Sequence, residues 1–384
     1  MANAKLLSVT REEGVIVRNV ESKEENHNYI PDDLSNYKFV QKGQFVINKM
    51  KSWQGSYGVS AYDGIVSPAY FVYDLKYSNK KYFNRAIRSK VFSPFFSKYS
   101  KGIRVDQWDL APEALKIIPF LEPPVEEQDA IVRYLDTATS KIDKAIAMQQ
   151  KMIDLLNERK QIIIQNAVTK GLDENVEMKD SGVEWIGMIP KHWGLYPLRK
   201  YLNVNSKRNM PNAQLLSVTR EEGVIVRNTE SKEENHNFIP DDLSNYKYVR
   251  KGQFVINKMK SWQGSYGVSN FNGIVSPAYF VYDLNYPNTT YFSMAIRSKM
   301  FSPFFSKYSK GIRIDQWDLV PEALKVIPFL EPPVEEQIEI VEYLGNLIPK
   351  IESKISNCQR QIALLQERKQ IIINEVVTGK VKVS

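Results

Sequence analysis

The chain has 384 residues, 43% of them hydrophobic, and a formal net charge of +8. That length accommodates two or three domains with real cores. No run of eighteen apolar residues is present to span a membrane, and the N-terminal stretch lacks the apolar core of a signal peptide. The single cysteine, Cys358, excludes an internal disulfide and fits a reducing cytoplasm, while the basic balance suits nucleic acid or an acidic partner.

Taken in order, short apolar runs alternate with turn signals. Leu6 to Val9 and Val15 to Val17 flank a Glu-Glu-Gly turn and predict a hairpin. Phe45 to Asn48 follows Lys42-Gly43. Tyr57 to Ser60 and Ile65 to Val66 flank Asp63-Gly64, and Tyr70 to Tyr73 follows Pro68. Helical spacing then appears at Lys81 to Phe92, with Phe83, Ile87 and Val91 on one face, until Ser93-Pro94 interrupts it. These signals predict a mixed α/β head with a curved, mainly antiparallel sheet.

Two loops of this head concentrate cations, amides and aromatic rings. The first carries Lys49, Lys51, Trp53, Gln54 and Tyr57, and the second Lys98, Tyr99, Lys101 and Arg104. Lysine and arginine neutralise phosphates, while glutamine, asparagine and arginine read base edges. Solvated turns with core-anchored aromatics are the alternative for the same residues.

A long helical stretch follows from Pro123 to Lys170. Prolines suit the first helical turn, and Glu126 and Glu127 sit where the helix dipole favours anions. Ile131, Leu135, Ala138, Ile142, Ala145, Met152, Leu156 and Ile163 recur at three-four spacing. Ile146 and Ile153 form a drifting neighbour stripe. From Ser140 to Thr169 such a helix spans roughly 45 Å at 1.5 Å per residue.

Residues 176–212 come next and carry Trp185, Ile186, Ile189, Trp193 and Leu198. That is more apolar mass than an interdomain linker carries, so the segment is expected to pack onto the head that follows it. The rest of the chain repeats what came before. Ser8 matches Ser217, Trp53 matches Trp262, Trp108 matches Trp317 and Arg159 matches Arg368, at one offset and without a gap. The second loop pair is therefore Lys258, Lys260, Trp262, Gln263 and Tyr266 with Lys307, Tyr308, Lys310 and Arg313. The second stalk, Pro332 to Gly379, repeats the seam as Ile340, Leu344, Leu347, Ile351, Ile355, Ile362, Leu365 and Ile372. Gly345 and Pro349 in it match the region of Thr139 in the first stalk and predict a kink near Thr139. The segment 176–212 has no counterpart before the first copy. The first head would then need that piece from upstream in a longer chain or from another molecule.

The expected architecture is α+β, with two near-identical mixed α/β heads joined by two long helices packed as an antiparallel coiled coil, pseudo-twofold symmetric. The expected boundaries are 1–122, 123–172, 173–331 and 332–384. Twofold proteins match palindromic DNA half-sites, so twin heads predict an inverted-repeat target with an unread spacer.

The sequence resembles the specificity subunits of type I restriction-modification systems. The residues that carry the likeness are Trp185 to Trp193 (Trp-Ile-Gly-Met-Ile-Pro-Lys-His-Trp), Pro123 to Gln128, Lys141 to Asp143 and Val168-Thr169, with Pro332 to Gln337 and Val377 to Gly379 as repeats. The resemblance implies two target-recognition domains, each reading half of a bipartite site on double-stranded DNA. It also implies partners: two adenine methyltransferase subunits docked by the helices, and restriction/motor subunits. The chain departs from the family pattern in its near-twin heads, where unlike ones are usual.

Catalytic signals are weak. Adenine methylation needs an Asn/Asp-Pro-Pro-aromatic motif, and Glu122-Pro123-Pro124-Val125 has neither the amide nor the ring. Pro31-Asp32 and Glu158-Arg159-Lys160 only superficially resemble a nuclease set. No Cys/His spacing suggests zinc, no P-loop appears, and His27, His192 and His236 stand isolated. A noncatalytic DNA-recognition scaffold without a cofactor is the expectation, with a structural adaptor that binds protein as the alternative.

Overall fold

The computed structural model describes residues 4–19, 30–31, 33–102, 108–228, 239–311 and 317–383. Its contacts divide the chain into two compact units, Met1–Lys151 with Cys358–Ser384, and Met152–Asn357. Each unit therefore combines one head with a portion of both long helices.

In the first unit the hairpin Leu7–Thr10 and Gly14–Val17 forms as the turn signal requires, with Leu7 opposite Val17. Phe45–Asn48 is the centre of a three-stranded antiparallel sheet, flanked by Tyr57–Val59 and Tyr70–Tyr73. Lys38–Val40, which carries no clear alternation, pairs with Gly64–Val66. The sheet is thus broken into several small antiparallel pieces rather than one curved surface. The helix Lys80–Ile87 starts at Asn79, whose side chain accepts from the Tyr82 amide. The first helix ends at Ile87, short of the expected Phe92, and Ser93-Pro94 opens a second helix, Ser93–Tyr99, instead of ending the first, because proline at the first turn gives up a donor that has no partner there anyway. Phe45, Ile47, Tyr57, Tyr82, Phe92 and Phe96 close the core.

The second unit repeats this plan and adds to it. The segment expected to pack does so: Ile186, Ile189, Trp193, Leu198, Tyr201 and Leu202 are buried in the core of the second head. Leu202–Val204 adds a fourth strand beside Tyr279–Leu284, and Gly194–Pro197 pairs with Pro328–Glu331. The Trp193 indole donates to Glu336 Oε2 at 2.9 Å, and His192 pairs with Glu336 Oε1. His192 is therefore partnered, not isolated as its sequence context suggests.

The long helices run over Val125–Lys170 and Val334–Val377. Both are helical throughout, with Pro349 inside the second. They pack against each other antiparallel within each unit. In the first, Ile131, Val132 and Leu135 share a core with Ile373, Val376 and Val377, while Asp143 takes Lys369 at 2.6 Å. In the second, Ala167 and Val168 share a core with Ile340 and Leu344, and Lys160 meets Glu352 at 3.2 Å. Midway along the first helix Ile153 is buried and Met152 is half exposed, so the seam follows the drifting stripe there. A helix with 3.6 residues per turn drifts against a strict heptad, which accounts for the shift. The fold class is the one the sequence predicts, two near-identical mixed α/β heads with a long helix pair packed together.

Replacing Trp193 by Ala is expected to destabilise the second head by about 3–5 kcal/mol, through a cavity in a filled core and the loss of the indole donor to Glu336 Oε2. Denaturant unfolding of the full chain, read by hydrogen exchange of each head, should show the loss in the second head; equal loss in both would contradict this packing.

Candidate nucleic-acid interface

The structure brings the two cationic loops of each head together. In the first head, Ser52 Oγ and Ser100 Oγ lie 3.3 Å apart, and the Leu110 amide donates to the Lys49 carbonyl at 3.0 Å. In the second, Ser261 and Ser309 meet at 3.4 Å and the Leu319 amide donates to the Lys258 carbonyl at 2.8 Å. Asn48 Oδ1 accepts from the Met50 amide and so starts the loop turn. Gly55, with φ 95°, closes that turn in a conformation that few side chains tolerate.

The individual residues then separate. Lys51, Lys98, Lys101, Lys260, Lys307 and Lys310 are exposed. Lys49 and Lys258 are half buried and pair with Asp109 at 3.5 Å and Asp318 at 3.2 Å. Lys307 also stands 4.8 Å above the Trp185 ring, a cation–π contact with the segment that completes the second head; Lys98 stands over Tyr99. Tyr99 and Tyr308 are half buried.

Trp53 and Trp262 are half buried, donate to the Met50 and Met259 carbonyls at 3.1 Å, and tilt against Trp108 and Trp317. Gln54 is half buried and Gln263 exposed at the same turn. Tyr57 and Tyr266 correct the sequence expectation. They are 1% and 2% exposed and lie against Phe96 and Phe305, with centroids 4.0 and 4.2 Å apart. Their rings fill the core and are not available to a ligand, because the strand that follows each loop points alternate residues inward. Burial raises the hydroxyl pKa of both well above the usual tyrosine range. Arg104 and Arg313 lie outside the described residues, as do His27, His236 and Asp32.

A third element was missed from the sequence. In the second head the hairpin Leu216–Thr219 and Gly223–Val226 stands opposite the Asn257–Ser265 loop, and a cleft of about 1140 Å³ opens between them. Thr219, Arg220, Asn257, Lys260, Trp262 and Gln263 line it. The Arg220 stem lies 3.7 Å from where a Cβ on Gly264 would stand, and Arg11 lies 3.9 Å from the same point on Gly55. The available signal was the repeated Thr-Arg-Glu-Glu-Gly turn, which puts an arginine at the tip of a hairpin.

That tip is held by a partly buried arginine. Arg297 donates to the Tyr266 and Arg220 carbonyls at 3.0 Å and to that of Glu221 at 2.6 Å. Arg88 makes the same three bonds to Tyr57, Arg11 and Glu12 in the first head. Burial lowers the pKa of both guanidiniums, yet arginine stays charged at neutral pH. A Cβ on Gly14 would come within 2.6 Å of Arg88 Nη1, so only glycine lets this clamp close. Among the described residues, no group of three or more His, Cys, Asp or Glu side chains could hold a metal ion, and no helix is long and apolar enough to cross a membrane.

No protein-family model matches the chain. It is 25% identical over 329 residues to the putative type I restriction enzyme MjaX specificity subunit of Methanocaldococcus jannaschii, covering 83% of this chain and 69% of that protein. The MjaVIII specificity subunit of the same organism is 24% identical over 312 residues, covering 77% of this chain and 69% of that one. The Escherichia coli EcoKI specificity subunit is 22% identical over 315 residues, with 76% and 64% covered. A chain from a structural study of complex assembly and conformational transition in a type I R-M system superposes with a TM-score of 0.66 at 13% identity, covering 98% of this chain and 92% of that one. The chain is thus a homologue of type I restriction enzyme specificity subunits and has the fold found in such a system. These similarities support a specificity-subunit role.

Substituting Arg297 by Ala is expected to leave three backbone carbonyls without their donor, at about 1–3 kcal/mol. Amide exchange across Arg220 to Gly223 should speed up while the long helices keep their protection; an unaltered hairpin would exclude the clamp.

Proposed function

We propose that this chain is the noncatalytic DNA-recognition subunit of a type I restriction-modification complex. Each head reads one half of a bipartite, near-palindromic site on double-stranded DNA. The helices hold two adenine methyltransferase subunits, and restriction/motor subunits join the assembly. The observation that carries this reading is the duplicated constellation itself. Two heads with the same cationic loop pair and the same arginine-tipped hairpin offer the same chemistry twice, and that suits a target whose halves are alike.

The division of labour follows from exposure and charge. Lys51, Lys98 and Lys101, with Lys260, Lys307 and Lys310, meet phosphates. Gln54 and Gln263 read base edges from the loop tips, with Arg11 and Arg220 as the hairpin's contribution. Trp53 and Trp262 brace the loops. Along the helices, Leu155 and Ile162 on one, and Leu364 and Ile371 on the other, are about half exposed at seven-residue spacing. Such a stripe on a helix suits a partner with its own apolar face. Adenine chemistry falls to the methyltransferase subunits, which would flip the base beside each head.

Mapping methylated adenines across the genome of a host that carries this chain and a methyltransferase partner tests the reading. The expected pattern is an inverted repeat with a fixed spacer; an asymmetric site would overturn the twin-reader account, and no chain-dependent methylation would overturn the function. Replacing Lys101 and Lys310 together by Ala should weaken binding to every sequence and lower the salt slope by about 2 in a mobility shift, whereas an unchanged slope removes both from the phosphate contacts. Replacing Gln54 and Gln263 by Ala should relax base preference at one position per half-site, worth about 1–3 kcal/mol; retained discrimination excludes them as readers.

A further inference from the structure

The two heads share nearly one sequence, but among the described residues one face of the first is more exposed than its covered counterpart in the second. In the second head, Leu330 is 2% exposed and Phe329 is fully buried, because Gly194–Pro197 pairs with Pro328–Glu331 and Leu202–Val204 pairs with Tyr279–Leu284. In the first head the matching Leu121 is 47% exposed, and Leu115, Ile118, Phe120 and Tyr73 are only half buried. Among the described residues, none pairs as a strand with 119–122.

The polar fittings of this face are likewise present in both heads and occupied in one. Glu331 accepts from Tyr201 Oη at 2.6 Å and Lys200 Nζ at 2.7 Å, and Glu336 accepts from Trp193 and His192. Their counterparts are Glu122 and Glu127. Tyr286 donates its hydroxyl to the Leu330 carbonyl, whereas the Tyr77 hydroxyl is buried with no hydrogen-bond partner among the described residues.

We propose that this face of the first head is a docking surface for an extended segment with the chemistry of residues 183–204. That segment supplies one strand to 119–122, a second to Tyr73–Leu75 (the counterparts of Tyr282–Leu284, which pair with Leu202–Val204 in the second head), a tryptophan and histidine to Glu127, and a tyrosine and lysine to Glu122. The occupant is specified by the second head, where the same surface residues already hold such a segment, and the inference stands apart from the DNA-recognition reading. An uncovered edge with an apolar face beside it favours strand addition.

The test is titration of the full chain with a labelled synthetic peptide of residues 176–212, followed by fluorescence anisotropy and by hydrogen exchange of each head. The expected result is saturable binding of one peptide per chain, with new protection at 70–77 and 115–122. A peptide carrying Trp193→Ala should bind at least tenfold more weakly, and so should the wild-type peptide to a Glu127→Gln chain, whose unfolding is checked separately. No binding, protection confined to the second head, or affinity indifferent to both changes would overturn the proposal. So would a chain that is dimeric and remains so at saturating peptide, since a second copy would then be the occupant.

Discussion

Everything in this protein depends on apolar helix surface buried beneath each head. Neither long helix serves one head alone. Ile131 and Leu135 at the start of the first helix close a core with Ile373 and Val376 at the end of the second, and Ile340 and Leu344 do the same with Ala167 and Val168. Burying a side chain of this size contributes about 1.5–3 kcal/mol, so several per unit outweigh the weak ion pairs Asp143–Lys369 and Lys160–Glu352 on the surface. The consequence is that each folding unit draws on both copies of the repeat. A head cannot be cut away with only its own helix without opening its core.

Sequence identity between the heads does not make them equivalent. Tyr286, Phe329 and Leu330 are sealed by residues 186–204, while Tyr77, Phe120 and Leu121 have the same side chains in a more open setting. What differs is a strand partner and one tryptophan anchored on a carboxylate. A sheet edge gains its backbone hydrogen bonds only when another strand arrives, and the apolar residues behind it are sheltered at the same time.

The surface proposed to face DNA is built differently. Lys51, Lys98 and Lys101 and their repeats stay in solvent on two loops that are tied to one another by serine hydroxyls and backbone amides, and the hairpin is pinned by one arginine to three carbonyls. Rigid backbone placement with exposed charge is what a reader of a charged polymer needs, because long-range attraction comes from the lysines and register from the fixed loops. Aromatic residues at these loops divide by depth: Trp53 and Trp262 brace the turn, whereas Tyr57 and Tyr266 belong to the core.

Much of this was legible in the chain. The repeat at one offset, the hairpin, the central strand Phe45–Asn48, the long helices and the packing role of residues 176–212 all follow from local periodicity, turn residues and apolar content, which act over a few residues at a time. The tertiary structure decided the rest, because it depends on which distant faces meet. Alternation alone could not say that Tyr57 points inward, that the sheet breaks into small pieces, or that the first helix stops at Ile87 and Ser93-Pro94 opens a new one. Nor could it place Arg88 and Arg297 under the hairpin, seventy-odd residues away in sequence, or reveal that His192 and Trp193 share a carboxylate on the second helix. Side-chain burial and polar pairing across such separations are set by the packing of whole elements, and a one-dimensional pattern carries no record of that.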